Sequence, residues 1–518
     1  MSNFVGLTHY TYIKLSELMK LLSSIALMAT ALVGAFPVAA EKLVILHSND
    51  THSQIDPNDK NLGGVLRRKA VVDSVRAVNK NVLLVDAGDA VQGTLFFYLY
   101  KGKVEYDLME KMGYDVAILG NHDFDNGAEH LGELLRDSRL TWLTTNYDLK
   151  GGPLDGIFQP YVIKEYDGKK IALIGINLRP EGMIAAGNYN GVEYLDGIKA
   201  ANATAWHLKH NENVDMVIAV THIGYSGKPA PKDVDLAAQS EDIDIIIGGH
   251  SHTFLDPADH SKTLLKNSVG KDVLVTQAGK QGVRLGEITI DLDSLTSQFN
   301  VIEIDSRLDK NQDQELKTII DGYRAGVDSL MNLRVARSAV VLENSEPALN
   351  NFLADFVAKR GSEIAGKKVD FAIMNKGSVR RSLPKGDITE GMIIDMQPFN
   401  NLIEVLEVKG SDVLDAFNVM AYIRGGDSVS SELEITMDPE TRNCKTVLLN
   451  GQPLDPEKTY TVATIDYLAN GGDFMEPLTR GKKIASSNSV INQDLLKYLR
   501  TEFKKKKINP DNTKRMHF

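Results

Sequence analysis

Between Lys42 and about Leu295, short aliphatic runs recur, and nearly every one empties into a cluster of Asp, Asn, His and Gly. The runs fall at residues 43–46, 82–85, 116–119, 171–174, 217–220 and 243–247. Four or five largely apolar residues without alternation suit strands buried on both faces. Amphipathic stretches of helical length separate them, for example 66–78 and 128–135. That alternation predicts an α/β domain, in which loops at the carboxyl ends of the strands converge on one site.

Five of these strand ends carry metal-ligand residue types. After Leu46 comes His47-Ser48-Asn49-Asp50-Thr51-His52, after Val85 Asp86-Ala87-Gly88-Asp89, and after Leu119 Gly120-Asn121-His122-Asp123-Phe124-Asp125. Val220 leads into Thr221-His222, and Ile247 into Gly248-Gly249-His250-Ser251-His252. Two divalent ions roughly 3.5–4 Å apart need a bridging carboxylate and several further ligands each. Mixed oxygen and nitrogen donors suit Mn, Zn, Fe or Co. Asp50, His52, Asp89, Asn121, His222, His250 and His252 supply such a set.

At 518 residues the chain exceeds the size at which one hydrophobic core stops growing, so two units are expected. We read a catalytic domain over residues 41–295, a linker with a connecting helix over 296–335, a second mixed α/β unit over 336–500 and a basic, frayed tail over 501–518. A net charge of -11 argues against binding a nucleic-acid polymer, which rests on cationic neutralisation of phosphates. A phosphate-bearing small molecule must instead be captured by local cations.

Residues 21–33, preceded by Lys20 and followed by Pro37-Val38-Ala39-Ala40, read as a secretory signal peptide cleaved after Ala40, with residues 1–18 an extension. The rival reading is an uncleaved membrane anchor. With cleavage, no stable membrane span is expected. The lone Cys444 leaves no internal disulfide for an exported protein.

The order D-x-H, G-D, G-N-H-[DE]-x-D, a strand-end His and G-H-x-H resembles the calcineurin-like metallophosphoesterases, and over nearly the whole mature chain the bacterial periplasmic 5'-nucleotidase family. The resemblance implies a four-layer αββα sandwich followed by a substrate-binding domain, and an exported, periplasmic enzyme acting on a small nucleotide. It assigns Asp50, His52, Asp89 and His252 to one metal and Asp89, Asn121, His222 and His250 to the other. His122, paired with Asp125, would stabilise phosphoryl charge and help the leaving oxygen depart. The implied reaction is in-line attack by a hydroxide generated at the metals, without a covalent phosphoenzyme.

In the second unit, Asn375-Lys376-Gly377-Ser378-Val379-Arg380, Gln397-Pro398-Phe399 and the stretch from Asp466-Tyr467 to Gly471-Gly472-Asp473 are similar to that family's substrate motifs. By that likeness Phe399 and Tyr467 sandwich a base, Arg380 holds phosphate, Asn375 touches the base and Asp473 binds ribose hydroxyls. Ordinary core packing is the other reading of the two rings. The chain departs from the family at Glu343-Asn344-Ser345-Glu346-Pro347, where a further Arg is usual, and Lys376 or Arg381 could compensate. The expected reaction is hydrolysis of nucleoside 5'-monophosphates. A 2',3'-cyclic-nucleotide 2'-phosphodiesterase with 3'-nucleotidase activity, a UDP-sugar hydrolase and a non-catalytic nucleotide-binding protein are the alternatives.

Overall fold

The computed structural model describes residues 41–185, 187–424 and 428–517. The signal-peptide reading falls on residues 1–40, outside them. In the first half the strands are β1 (Lys42–Ser48), β2 (Asn81–Asp86), β3 (Val116–Ile118), β4 (Thr141–Leu143), β5 (Tyr161–Tyr166) and β6 (Lys169–Asn177). They continue with β7 (Met216–His222), β8 (Ile245–Ile247), β9 (Leu264–Lys266), β10 (Asp272–Thr276), β11 (Arg284–Asp291) and β12 (Ser297–Glu303). Two six-stranded sheets result, ordered β12-β11-β1-β2-β3-β4 and β9-β10-β8-β7-β6-β5. The inner strands of both run parallel.

Residue alternation along each inner strand serves two cores. Leu43, Ile45, Leu83 and Val85 meet Leu173, Ile218, Val220 and Ile247 in the layer between the sheets. Leu46, Leu84, Ala172 and Ala219 point outward to helical residues such as Val72, Leu108, Ala201 and Leu236. The layering is helix, sheet, sheet, helix, the αββα sandwich expected, and burial on both faces is why the strand sequences are continuously apolar.

The sheet runs further than the sequence reading placed it. β12, assigned there to the linker, pairs antiparallel with β11 from Ser297 opposite Ile290 to Glu303 opposite Arg284. As an edge strand it alternates apolar and polar residues and lacks the continuous run that marked the others. The helix Gln314–Met331 follows as expected. It is anchored on the first half by Leu316 and Ile320 in that core and by Arg324 on both oxygens of Asp56 at 2.7 Å.

In the second half, a five-stranded sheet is ordered Ser428–Val429, Phe371–Met374, Thr459–Ile465, Leu402–Lys409, Lys482–Val490. The helix Pro347–Ala365 buries Leu349, Leu353, Phe356 and Val357 against this core. The tail is not frayed, which corrects the sequence reading. Lys504 to Lys507 are exposed, but the chain then returns: Ile508 is buried, and Met516–His517 pairs with Leu433–Met437. Arg515 holds Asp355 through two bonds of 2.7 and 2.8 Å. Among the described residues no helix is long and apolar enough to cross a membrane.

Candidate two-metal active site

Asp50 and His52 follow β1, Asp89 follows β2, Asn121 and His122 follow β3, His222 ends β7, and His250 and His252 follow β8. The backbone turns sharply at these points. Asp50, His52, Asp89, His250 and His252 all have positive φ, between 47° and 75°. That region disfavours residues with a β-carbon, and such strain concentrates at functional sites. Close approach also dictates Gly120, where an added Cβ would sit 2.1 Å from Asp89 Oδ1.

Two groups form. Ligand atoms of Asp50, His52 and His252 lie within 4.8 Å of one another, as do those of Asp89, His222 and His250. In the first group the Nε2 atoms of His52 and His252 are 2.9 Å apart, and His252 Nε2 is 3.4 Å from Asp50 Oδ1. In the second, Asp89 Oδ2 is 3.2 Å from His222 Nε2. Asn121 joins this group, its Oδ1 lying 3.0 Å from His250 Nδ1.

The electrostatics fit bound cations. His222 Nδ1 bonds the Ala87 carbonyl at 2.7 Å, which directs Nε2 at Asp89, an arrangement that fixes the orientation of a metal-ligating imidazole. Burial pulls this imidazole down, but Asp89 outweighs it and raises His222 to about 10. The space between Nε2 and Oδ2 therefore favours positive charge, as a proton or as a cation. His52 and His250 are driven well below the ordinary histidine range, by burial and then by His252 and His222 respectively. Both are held neutral with lone pairs available. Two candidate metal-binding groups side by side, with carboxylate and imidazole donors and the Asn121 amide beside them, suit a dinuclear divalent-metal site.

His122 meets Asp125, with Nδ1 3.1 Å from Oδ2. Burial lowers its pKa, yet Asp125 and Asp89 outweigh that effect and His122 is raised overall. Its Nε2 lies 3.1 Å from Arg380 Nη2, contributed by the second half. The sequence reading gave Asp123 no role, but its Oδ2 accepts from the backbone N–H of Asp89 and Gly120 at 3.1 and 2.7 Å, and its Oδ1 from the Tyr106 hydroxyl at 2.7 Å. Asp123 thus locks two ligand loops together. Its place in the G-N-H-[DE]-x-D motif was the available signal.

A cavity of about 810 Å³ joins the halves, lined by Asp89, Asn121, His122, His250 and His252 from one and Asn375, Arg380, Phe399, Tyr467 and Asp473 from the other. Phe399 and Tyr467 are half-buried and face this space; Tyr467 also packs against the second core. The Phe399 ring lies 5.1 Å from the Arg380 guanidinium. Asp473 is held by Asn375 Nδ2 at 2.7 Å and the Tyr467 hydroxyl at 3.1 Å. Of the two substitute cations expected, Arg381 turns to Gln54 Oε1 at 2.8 Å. Neither it nor Lys376 lines the cavity. The Glu343-Asn344 stretch instead braces the Arg380 segment: Asn344 Nδ2 donates to the Arg380 carbonyl at 3.4 Å and Asn344 N–H to Ser382 Oγ at 3.0 Å.

An αββα sandwich that brings two such ligand groups to one rim of its paired sheets defines a metal-dependent phosphoesterase. Residues 43–254 match the calcineurin-like phosphoesterase family and residues 329–480 the 5'-nucleotidase C-terminal domain, so the chain joins a calcineurin-like phosphoesterase domain to a 5'-nucleotidase C-terminal domain. The chain is similar to the trifunctional nucleotide phosphoesterase protein YfkN of Bacillus subtilis, 27% identical over 488 residues, although the match spans 83% of this chain and only 32% of that longer protein. The 5'-nucleotidase of Mus musculus is 29% identical over 504 residues, 86% of this chain and 85% of that one. Among solved structures, the 5'-nucleotidase precursor from Thermus thermophilus superposes with a TM-score of 0.80 at 29% identity, covering 92% of this chain and 99% of the other.

Proposed function

We propose that the protein hydrolyses nucleoside 5'-monophosphates to nucleoside and phosphate at a two-metal centre held by Asp50, His52, Asp89, Asn121, His222, His250 and His252. One observation carries this reading: a single cavity is lined both by residues of the two ligand groups and by the rings of Phe399 and Tyr467, with Arg380 and the buried Asp473. The similarity to the 5'-nucleotidase of Mus musculus and the 5'-nucleotidase precursor of Thermus thermophilus supports it.

When bound, two divalent ions activate water and neutralise phosphoryl charge. The chain's own groups do the rest. Asp125 fixes the His122 ring through Nδ1, and Nε2, which accepts from Arg380 Nη2 in this structure, is the atom that passes a proton to the leaving oxygen once Arg380 turns to the phosphoryl group. Arg380, whose guanidinium faces His122, pairs with phosphoryl oxygens. Phe399 and Tyr467 stack the base, a contact that tolerates different bases. Asn375 lies beside the base, and Asp473 accepts from the ribose hydroxyls.

We also place the protein outside the cytoplasm, on the apolar stretch 21–33 and the small residues before Glu41. The test of function is phosphate release from AMP, 3'-AMP, 2',3'-cyclic AMP and UDP-glucose after chelation and after return of Mn, Zn, Co or Mg. Product analysis follows the last two substrates. Metal-restored preference for AMP is expected. Preference for the cyclic or 3' substrate would redirect the substrate assignment, and no turnover with any metal would sink the enzymatic reading.

A further inference from the structure

One residue beside the site has no task in the reaction just derived. Gln92, three residues beyond Asp89, is 1% exposed and holds a φ of 73°, a conformation unfavourable for any residue with a β-carbon. Its Nε2 is buried without a hydrogen-bond partner among the described residues, which costs further free energy because a desolvated donor goes unpaired. Two penalties at one side chain call for a compensating role.

The other end of the amide identifies it. Gln92 Oε1 lies 3.4 Å from Arg380 Nη2, the nitrogen that also approaches His122 Nε2. A guanidinium only donates. The amide must therefore present its oxygen to Arg380, which turns Nε2 into the protein where no described residue offers an acceptor. The unpaired donor is thus a consequence of the contact with Arg380. The contact also crosses between the halves, since Gln92 belongs to the first and Arg380 to the second. Long apo contacts of this kind tighten when the ligand arrives.

We infer that Gln92 is a positioning residue that fixes the Arg380 guanidinium for the phosphoryl group, an inference that rests on the phosphohydrolase reading. Any side chain of similar bulk would fill the space, but only an acceptor directed at Arg380 performs this role. If Gln92 were merely loop packing, glycine, which tolerates its φ, would leave phosphate binding unchanged.

The experiment uses the metal-loaded mature chain and three variants, Gln92→Met, Gln92→Gly and Arg380→Ala, with the Gln92→Met/Arg380→Ala double variant. Inorganic phosphate binding is measured by calorimetry, kcat and KM on AMP by steady-state assay, and Tm and metal content on the same samples. Gln92→Met is expected to weaken phosphate binding and kcat/KM by roughly 10-fold or more, the loss typical of one hydrogen bond to a charged group. Metal content should be unchanged, and in the Arg380→Ala background the same change should cost less than about 2-fold, because its target is gone. Gln92→Gly should show the same binding loss with an unchanged or higher Tm. An equal loss with and without Arg380, or a loss that follows falling metal content, would overturn the inference. Absence of AMP turnover in the parent chain would sink the phosphohydrolase reading instead, while phosphate calorimetry still decides whether Gln92 and Arg380 are coupled.

Discussion

His52 and His122 lie with ring centroids 5.5 Å apart, yet their surroundings push them in opposite directions. His52 is lowered by burial and by His252, which suits a neutral ligand. His122 is raised because Asp125 and Asp89 outweigh burial, which suits a proton donor. Replacing His122 with Ala is expected to lower kcat by about 10²–10⁴-fold, the usual contribution of a positioned acid, with metal content intact. Steady-state kinetics with metal analysis checks this, and an unchanged kcat would remove His122 from the chemistry. Phe399→Ala should raise KM for AMP by about 5- to 150-fold, equivalent to the roughly 1–3 kcal/mol of one stacked base. Phe399→Trp should preserve affinity, whereas equal KM values for all three proteins would mean the ring packs without touching substrate. The candidate ligands were legible because each sits at the end of an apolar run. Asp123 carried a signal only through its motif position, and Gln92 carried none, since their roles depend on which backbone N–H or guanidinium a turn brings within reach.

Strand β1 illustrates how one element combines a ligand delivery route with a hidden liability. His47, at its carboxyl end, is fully buried near Phe299 of β12 at 6.1 Å, and neither ring nitrogen has a hydrogen-bond partner among the described residues. Gly286 on β11 makes the room, since a Cβ there would lie 1.9 Å from His47 Nε2. Burial pushes this imidazole down from 6.5 to about 3. Above pH 6.5 both folded and unfolded chains keep it neutral and its contribution is complete. As pH falls from 6.5 toward 3 the unfolded chain gains a proton that the folded chain refuses, so stability declines by roughly 1.4 kcal/mol per pH unit. His47→Leu should flatten the fall of Tm between about pH 6.5 and 4, and parallel Tm curves for variant and parent would count against it. Element patterns also explain what sequence missed. Continuous apolar runs revealed the central strands, but β12 and the returning tail have only short or alternating patterns whose partners lie elsewhere in the chain. Arg515→Ala, which leaves Asp355 and the Val429 carbonyl without this donor, should cost about 1–3 kcal/mol. Urea unfolding measures that loss, and a change below about 0.5 kcal/mol, ordinary for a surface position, would make the tail's docking dispensable.

The whole molecule is organised around a cavity whose walls belong to different halves. The helix Gln314–Met331 bridges the halves: Leu316 and Ile320 sit in the first core and Arg324 holds Asp56, while Val327, Leu330 and Met331 pack against the second core. Across the cleft the halves meet through Asp473 N–H on the Gly182 carbonyl at 3.0 Å, Arg380 on Gln92, Arg381 on Gln54 and Gln493 on the Tyr98 hydroxyl at 2.9 Å. The first two bonds flank the proposed nucleoside and phosphate positions. Bulky product therefore leaves most easily when both bonds open, and opening of this kind sets the turnover of many enzymes. Tyr98 and Gln493 do not line the cavity. Cysteines at these two positions, in a Cys444→Ser background, can be joined by a short cleavable reagent without occupying the site. The joined protein should turn over AMP roughly 10-fold more slowly and recover when the linker is cleaved, with metal content constant throughout. Full turnover in the joined state would mean that substrate and product pass through the cleft as it stands, and that the cross-domain bonds hold the halves rigidly in their working arrangement.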